Sequence, residues 1–400
     1  MAVDINNIRK NLEFIGSSFN SGIKGFNRLA FSQEEKDAIN WLEQELKDHD
    51  ISVRRDAVGN LFARIGPDDA PIHAFGSHLD TVAQGGLFDG ALGVITGLEC
   101  LLKLKTYQPR NTAYELVCFV GEEVNPLGGT FGSRLIAGLV DVDGLDEEVL
   151  DKLGMTKEQL KEAAGTLSDY DGFLELHIEQ GTVLENNGNK TGIVTSIAGI
   201  VRHHITVIGE AGHSGTMPMA DRRDALVMAS EIIQHINQEA NKFTDGTVAT
   251  VGQLEVEPNL ATVIPGRVTF TFEVRSGDRG TLDMFPEQVT AWVKKNYDVE
   301  IIQGVVKPTH PMSRKFINAA ETAGKTLGLP TMKLMSGANH DTNTLAPFMD
   351  TGMIFVPSEK GISHNPLENS EWEYIENAAN IMLETLKNFD VQSDERAISD

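Results

Sequence analysis

Gly76-Ser77-His78-Leu79-Asp80 follows a short apolar run, which predicts a buried strand. His78 and Asp80 should therefore lie at the carboxyl end of this strand, where open α/β sheets place their ligands. Asp89 follows shortly and precedes apolar residues at helical spacing, which predict a helix over 91–105. An imidazole and two carboxylates are ligands that zinc or manganese accepts. Taken alone, however, an H-x-D pair is more often a pair of polar surface residues.

Further histidines and acids stand at strand ends or in loops along the chain. The pair Glu122-Glu123 ends a second predicted strand, and His177 lies near the end of a third. Adjacent residues at a strand end point in different directions, so one carboxylate can bind metal while the other transfers protons. Two loops add His340 and His364. This accumulation favours a metal site over purely structural histidines.

The order of the predicted elements indicates an α/β protein. Ser32 and Glu35 have the spacing of a capping box that starts a helix, and a hairpin is predicted over 51–65. Strand, helix and strand then alternate over 72–120. That alternation is typical of a mainly parallel or mixed sheet covered by helices.

The pattern changes from about residue 199, where strands begin to alternate between apolar and polar positions. Strand, helix, strand, strand and helix are predicted over 204–208, 222–239, 248–256, 267–275 and 284–295. This order is close to a split β-α-β arrangement. We therefore predict an inserted α+β domain over 199–312, and an α/β domain with a mixed sheet formed by 1–198 and 313–400.

Length and composition limit the class of protein. Four hundred residues exceed what one hydrophobic core usually supports, so two domains are expected. No run approaches the ~20 apolar residues that a membrane span needs. The net charge of −24 argues against nucleic-acid binding. The amino terminus lacks a signal-peptide pattern and both cysteines lie in apolar elements, which predicts a cytoplasmic protein.

The chain carries six longer motifs, namely GSHLDTV (76–82), FDGALGV (88–94), LHIEQG (176–181), GEAGHSGTMPMADRRDA (209–225), NLATVIPG (259–266) and ISHNP (362–366). In order and spacing they resemble a family of binuclear metal amidohydrolases. This family includes N-carbamoyl-L-amino acid hydrolase, allantoate amidohydrolase and β-ureidopropionase, and it is related to aminoacylases and zinc exopeptidases. The resemblance spans about Phe31 to Leu386. HIEQG favours the carbamoylase branch, because the peptidases usually carry an acid at that ligand position.

The resemblance implies a centre of two divalent metal ions, Zn²⁺ or Mn²⁺, with Co²⁺ or Ni²⁺ as alternatives. Its ligands would be His78, Asp89, Glu123, His177 and His364. Asp89 would bridge the two ions, and relatives carry a cis peptide bond after this aspartate.

The resemblance also implies three residues that take part in catalysis. Glu122 would act as general base and then as general acid. Asp80 would hold the second ring nitrogen of His78. His213 would reach from the inserted domain to the developing oxyanion.

Substrate contacts are implied less directly. Arg275, with help from Arg202, would bind the carboxylate of the substrate, and Gln180 is assigned to the substrate because it lies in the HIEQG motif. Without the resemblance, Arg275 would be interpreted as a surface arginine on an alternating strand. Thr262 and Asn339 also occupy substrate-binding positions of the family, but both depart from its pattern.

Three departures therefore concern the substrate. Thr262 stands where relatives usually carry asparagine, and Asn339 stands where they usually carry glycine. The acid pair is followed by Val124-Asn125-Pro126, where relatives more often have small or basic residues. None of these positions belongs to the implied ligand set, so the departures bear on the identity of the substrate and leave the type of reaction intact.

The expected activity is hydrolysis of the carbamoyl C–N bond of an N-carbamoyl-L-amino acid or a similar ureido acid, with release of ammonia and carbon dioxide. An aminopeptidase, a dipeptidase or an N-acyl amino acid deacylase could use the same site. A metal-free binding protein is a more distant alternative. The resemblance further implies a homodimer formed through the inserted domain, which would serve as lid and dimerisation domain and lend His213 to the neighbouring chain. No nucleic-acid or membrane partner is expected.

Overall fold

The computed structural model describes the backbone of residues 1–22 and 24–399, with side chains up to residue 390. No helix in this part of the chain is long and apolar enough to cross a membrane. The α-helices are α1 (Ile5–Ser18), α2 (Gln33–Asp48), α3 (Ala91–Tyr107), α4 (Phe131–Ile136), α5 (Glu147–Leu153), α6 (Lys157–Ala163), α7 (Val183–Asn186), α8 (Ala225–Ala240), α9 (Arg279–Asn296), α10 (Arg314–Leu327), α11 (Asp341–Leu345) and α12 (Trp372–Ser399). Single 3₁₀ turns lie at Met219–Asp221 and Glu359–Gly361.

The strands are short to medium in length. They are β1 (Ser52–Arg55), β2 (Leu61–Ile65), β3 (Ile72–His78), β4 (Ala113–Phe119), β5 (Tyr170–Ile178), β6 (Gly192–Ile197), β7 (Gly199–Ile208), β8 (Gly212–His213), β9 (Val248–Thr250), β10 (Leu254–Glu257), β11 (Val263–Ile264), β12 (Arg267–Ser276), β13 (Val299–Lys307), β14 (His310–Pro311), β15 (Met332–Ser336) and β16 (Asp350–Val356).

The chain divides into two compact units. Unit 1 comprises Met1–Thr195, Met312–Leu334 and Asn339–Asp400, and unit 2 comprises Ser196–Pro311 and Met335–Ala338.

The sheet of unit 1 is mixed, in the order β1-β2-β4-β3-β5-β16-β6. Strand β3 is parallel to β4 and β5, and β16 is parallel to β5. The hairpin of β1 and β2 adds an antiparallel edge. Every residue of β3 and β4 is buried, as expected for strands covered on both faces. The predicted α/β class with a mixed sheet is confirmed.

Unit 2 contains an antiparallel sheet in the order β10-β12-β7-β13, with β9 beside β12. Helices α8 and α9 both contact β7 and β12. Along β12, buried Val268, Phe270, Phe272 and Val274 alternate mainly with less buried residues. The strand predicted over 248–256 is wrong in one respect, because the chain forms two strands there. Strand β13 was not predicted, since it is mostly exposed and shows little alternation.

The capping box predicted for α2 is only half formed. Ser32 Oγ accepts a hydrogen bond from the Glu35 N–H at 3.2 Å, as a capping residue does. The Glu35 carboxylate does not return to Ser32, and instead accepts hydrogen bonds from the N–H groups of Phe31 and Gly121. The box does not close because the buried Glu35 carboxylate meets another donor, the N–H of Gly121, from a distant part of the chain.

Candidate metal centre and active site

Parallel strands of unit 1 bring the candidate ligands to one edge of the sheet. His78 is the last residue of β3, His177 is the penultimate residue of β5, and Glu122 and Glu123 follow the end of β4. His364 lies in the loop that follows β16. Because β4, β3, β5 and β16 run in the same direction, their carboxyl ends meet at the same edge.

A first group of candidate ligands consists of His78, Asp89 and His177, all buried. Asp89 Oδ1 lies 3.2 Å from His177 Nε2 and 3.7 Å from His78 Nε2. Both Nδ1 atoms face oxygen, at 3.0 Å from the carbonyl of Asp80 for His78 and 3.0 Å from that of Ile178 for His177. A proton on each Nδ1 leaves the Nε2 lone pair as the group that could bind a metal, as in metal-binding histidines. In this structure His177 Nε2 accepts the Gly90 N–H at 3.2 Å.

A second group shares Asp89 with the first. His364 Nε2 lies 3.4 Å from Asp89 Oδ2 and 3.4 Å from Glu123 Oε1. Asp89 thus offers one oxygen to each group, which is the arrangement of a carboxylate that bridges two ions. Within each group the candidate ligand atoms lie within 4.8 Å of one another.

The charges at this site fit metal cations. Glu123 Oε1 is buried and has no hydrogen-bond partner among the described residues. Burial and the charge of Asp89 raise the pKa of Glu123 to about 7. Burial lowers the pKa of His78, but the charges of Glu122, Asp80 and Asp89 outweigh it and hold that pKa well above its usual value. The acids therefore favour a positive charge at this position. A divalent ion bound by these nitrogen and oxygen ligands would supply it.

Further contacts hold Asp89 in place. Glu368 Oε1 accepts the Asp89 N–H at 3.1 Å, while Ser363 Oγ and Gln180 Nε2 each donate to Asp89 Oδ2 at 2.8 Å. Gly90 takes a φ of 62°, and a Cβ at this position would lie 2.3 Å from the His78 ring. The expected cis bond after Asp89 is wrong, because the cis peptide among the described residues is Glu257–Pro258.

The two acids after β4 have separate neighbours. Glu122 Oε2 lies 3.7 Å from His78 Nε2, whereas Glu123 faces His364. Asp80 supports both acids, because its carboxylate accepts the N–H of Glu122 at 3.2 Å and that of Glu123 at 2.9 Å. Its Oδ1 also lies 3.4 Å from His78 Nδ1. One carboxylate thus orients the histidine and the backbone of the acid pair.

Residues 74–388 match the sequence profile of peptidase family M20/M25/M40. The chain belongs to this family. It is 37% identical to the N-carbamoyl-L-amino acid amidohydrolase of Geobacillus stearothermophilus, over 90% of this chain and 93% of the relative. It is 32% identical to the allantoate amidohydrolase of Bacillus subtilis, over 93% and 94%. The crystal structure of an amidase of the hydantoinase/carbamoylase family from Burkholderia multivorans superposes with a TM-score of 0.87 at 30% identity, covering 96% and 97%.

Family membership confirms the resemblance that the motifs indicated and makes this chain a hydrolase. M20 enzymes generally depend on two metal ions, and the two groups around Asp89 provide candidate ligands for them. The identity of the metal and the roles of individual residues remain predictions.

In unit 2 of this M20 chain, the two predicted substrate arginines share a glutamate. Arg202 Nε donates to Glu273 Oε2 at 2.7 Å, and Arg275 Nε donates to Glu273 Oε1 at 2.9 Å. Arg275 Nη1 also donates to the carbonyl of Gly337 at 3.1 Å. Burial raises the pKa of Glu273, but the hydrogen bonds from both arginines outweigh it, so that pKa lies below its usual value. Glu273 was not identified from the sequence, because it belongs to no motif.

The other predicted substrate and lid residues are more exposed. His213 is exposed on the short strand β8, opposite Val263 of β11, and its Nδ1 accepts the Gly215 N–H at 3.0 Å. Thr262 is exposed in unit 2, and its carbonyl accepts the Ser214 N–H at 3.0 Å. Asn339 is exposed in unit 1, where its Oδ1 accepts a hydrogen bond from Asn343 Nδ2 at 2.7 Å.

Two further residues lie near the candidate metal centre but are not among the site residues that the sequence predicts. Glu368 anchors the N–H groups of Phe88 and Asp89, and its only sequence signal is its closeness to the ISHNP motif. His340 lies in a loop, and its ring centroid is 4.6 Å from that of His177. With Glu175 these histidines form a third candidate group. Glu175 already accepts hydrogen bonds from Ser77 and Thr342, so this group fits a metal less well.

Proposed function

We propose that this chain hydrolyses the carbamoyl C–N bond of an N-carbamoyl-L-amino acid or a similar ureido acid, releasing ammonia and carbon dioxide. The observation that carries the proposal is the position of Asp89, which offers one oxygen to each of two candidate ligand groups. Relatives named for N-carbamoyl-L-amino acids and allantoate, at 37% and 32% identity, support a ureido substrate.

Two divalent ions would be held by the two groups around Asp89. Zn²⁺ or Mn²⁺ suits these imidazole and carboxylate ligands, with Co²⁺ or Ni²⁺ as alternatives. When bound, the ions would polarise the ureido carbonyl and lower the pKa of a water molecule. Gln180 would contribute to the substrate site, since its Nε2 is committed to Asp89 while its buried Oε1 has no hydrogen-bond partner among the described residues. That oxygen can accept an N–H of a ureido group.

Glu122 would move the proton in this reaction. Its carboxylate lies beside His78 but belongs to neither candidate ligand group. Burial raises the pKa of Glu122 well above its usual value, although the charge of His78 opposes this. A carboxylate of higher pKa accepts a proton from water more readily and can return it to the leaving nitrogen.

Arg275 would bind the carboxylate of the substrate, with Arg202 and Thr262 in support. Glu273 and Gly337 hold the Arg275 Nε and one Nη1 hydrogen, which fixes the plane of the guanidinium. The remaining N–H groups at its far end can still bind a carboxylate. Exposed Asn339 would contact the substrate in place of the glycine of relatives.

Arg275→Ala is expected to raise KM and to cost ~2–4 kcal/mol in kcat/KM, because a charge-assisted contact to the substrate is lost. Steady-state kinetics on a carboxylate-bearing ureide measure this change. Arg267→Ala provides the matched control, since Arg267 lies on the same strand and pairs with exposed Glu300 at 2.9 Å. Full activity of Arg275→Ala, together with equal hydrolysis of uncharged ureides, would show that no carboxylate anchor exists at Arg275.

We further propose a homodimer formed through unit 2, as lid and dimerisation domain. Strand β13 forms an edge of the unit 2 sheet, and its Ile302 and Val306 are 66% and 56% exposed. An exposed apolar edge strand is a template for pairing with another chain. His213 would then act in the site of the neighbouring chain. Because its Nδ1 accepts a hydrogen bond, neutral His213 carries its proton on Nε2 and can donate to an oxyanion.

His213→Ala should lower kcat by about 10²-fold, as loss of an oxyanion donor does. If His213 acts in trans, mixing His213→Ala chains with Glu122→Gln chains should restore part of the activity through hybrid dimers. Activity is measured before and after subunit exchange, which is followed with differently tagged chains. His204→Ala, a change at another exposed histidine of unit 2, serves as control. Complete exchange without any rescue would place His213 outside the neighbour's site.

The proposed activity is tested with an ammonia-release screen. The purified chain is supplied with Mn²⁺ or Zn²⁺ and assayed on N-carbamoyl-L-amino acids, allantoate, dipeptides and N-acetyl amino acids. Ammonia from a ureide, abolished by chelation and restored by metal, is the expected result. Cleavage of dipeptides or N-acetyl amino acids alone would establish the peptidase or deacylase alternative, and metal binding without any turnover would argue for a binding protein.

We also propose a cytoplasmic location. Cys100 and Cys118 are buried and form no disulfide, as is usual in a reducing compartment. Detection of the native protein in a membrane or secreted fraction would contradict this location.

A further inference from the structure

The backbone that carries Glu122 and Glu123 is hydrogen-bonded to side chains at every N–H. The N–H groups of residues 120–123 donate in turn to side chains from three separate parts of the chain: Asn60 Oδ1 at 2.9 Å, Glu35 Oε1 at 3.0 Å, Asp80 Oδ1 at 3.2 Å and Asp80 Oδ2 at 2.9 Å. Each of these four consecutive backbone N–H groups therefore has its own side-chain acceptor oxygen. This fixes one edge of the segment 120–123.

The carbonyl edge of the same segment is fixed by the start of α4. The carbonyls of residues 120, 121 and 122 accept N–H groups from residues 132, 131 and 130, at 3.0, 2.9 and 2.6 Å. Gly121 takes a φ of 63°, and a Cβ there would lie 2.5 Å from the Phe31 ring. The turn into the acid pair therefore depends on contacts on both of its edges.

Of the three acceptor residues, Glu35 lies farthest in sequence from the acid pair. It lies on α2, its side chain is only 1% exposed, and its carboxylate is near that of Asp80. Burial and the charge of Asp80 raise the pKa of Glu35 to about 8. The nearby guanidinium of Arg28 is also buried, but it donates to the carbonyls of Leu79, Ile15 and Phe19. A buried carboxylate beside another acid destabilises the fold unless its contacts compensate.

The contact uses both oxygens of the Glu35 carboxyl group as acceptors. The two oxygens of Glu35 accept one N–H from Phe31 and one from Gly121. A glutamine of the same shape has one acceptor oxygen and one NH₂ group, so one of the two backbone N–H groups would face a donor. A cap for α2 would need no contact to Gly121. The contact to Gly121 connects α2 to the residue before Glu122.

We propose that Glu35 is a positioning residue for Glu122: by holding the Gly121 N–H it sets the direction in which Glu122 leaves the end of β4. This proposal rests on the proposed function only for the identity of the reaction. The hydrogen bond between Glu35 and Gly121 exists without substrate or metal. Among the described residues, the Glu35 carboxylate accepts hydrogen bonds from the N–H groups of Phe31 and Gly121 and from no candidate metal ligand, so it would act through the backbone of residues 121–123.

The test compares Glu35→Gln with Ser32→Ala. Ser32 caps α2 through the Glu35 N–H but makes no contact to Gly121, so its loss reports on the helix alone. Glu35→Gln should lower kcat about 10- to 100-fold, as small misplacements of catalytic groups do, while KM stays within about 3-fold. Its ratio of bound metal to chain should equal that of the wild type. Ser32→Ala should lower the melting temperature and leave kcat unchanged.

Amide hydrogen exchange gives a reading that does not depend on activity. In Glu35→Gln, exchange of a peptide covering 120–123 should accelerate by at least about 10-fold, while unit 1 outside residues 31–35 and 120–123 stays unchanged. Wild-type exchange and wild-type kcat in Glu35→Gln would overturn the proposal. If Glu35→Gln does not fold, Glu35→Asp keeps the carboxyl group but shortens its reach to Gly121, and the same two outcomes apply to it. If the wild type hydrolyses no ureide, the function fails, while exchange and metal content still decide the role of Glu35.

Discussion

Glu122→Gln is expected to lower kcat by at least about 10²-fold while bound metal stays at the wild-type level, because the variant loses a proton acceptor and no ligand. The geometry separates the two functions. Glu122 lies 3.7 Å from His78 Nε2 and belongs to neither candidate ligand group, whereas Glu123 lies 3.4 Å from His364 within one of them. The amide of glutamine has nearly the same shape as the carboxylate, so the surrounding contacts should persist. Steady-state kinetics and elemental metal analysis on the same preparation measure both quantities.

Glu123→Gln is the matched control, since it makes the same chemical change one residue along the chain. It should weaken metal binding, and its activity should recover in part when the metal concentration is raised. Similar behaviour of the two variants, or an active Glu122→Gln, would refute the division between proton transfer and metal binding.

Asp89→Ala is expected to abolish activity and to bring metal content towards zero. The reason is that Asp89 places Oδ1 in one candidate group and Oδ2 in the other, so a single substitution removes a ligand from both. His364→Ala is the comparison, because His364 belongs to one group only. That variant should retain about half of the wild-type metal, since its other group is intact.

Metal content by elemental analysis and metal titration by calorimetry would distinguish the two variants. Equal metal loss in Asp89→Ala and His364→Ala would contradict the shared position of Asp89. Retention of full metal content by Asp89→Ala would be incompatible with a bridging ligand. Thermal unfolding of both variants with and without metal checks that the loss is local.

The sequence predicts best those site residues that lie near the ends of strands. His78 and His177 follow apolar runs, and the pattern of such a run also gives the point where its strand ends. The parallel order of β4, β3, β5 and β16 then brings these ends together. For this reason local patterns, together with the motifs, were sufficient to predict the mixed sheet and a cluster of candidate ligands at one edge.

Contacts between distant single residues could not be predicted in this way. Glu35 has a local partner at the spacing of a capping box, and only the fold shows that its carboxylate accepts the N–H of Gly121. Glu368 and Glu273 stand in no motif, yet one anchors Asp89 and the other connects two arginines. In an exposed edge strand such as β13 few side chains are buried. Its apolar and polar residues therefore do not alternate with the period of two that marks a strand.

The division of the chain into two units has an evolutionary consequence. The residues of unit 2 proposed to recognise the substrate are Arg202, Thr262 and Arg275, and all three are encoded in one uninterrupted stretch, Ser196–Pro311. The proposed ligands and Glu122 are all encoded outside that stretch. Mutations at these three positions can therefore change which molecule is accepted without altering the proposed metal ligands, Glu122 or His213. A gene organised in this way can diversify its substrates by drift and selection within one internal segment, while its chemistry is inherited unchanged.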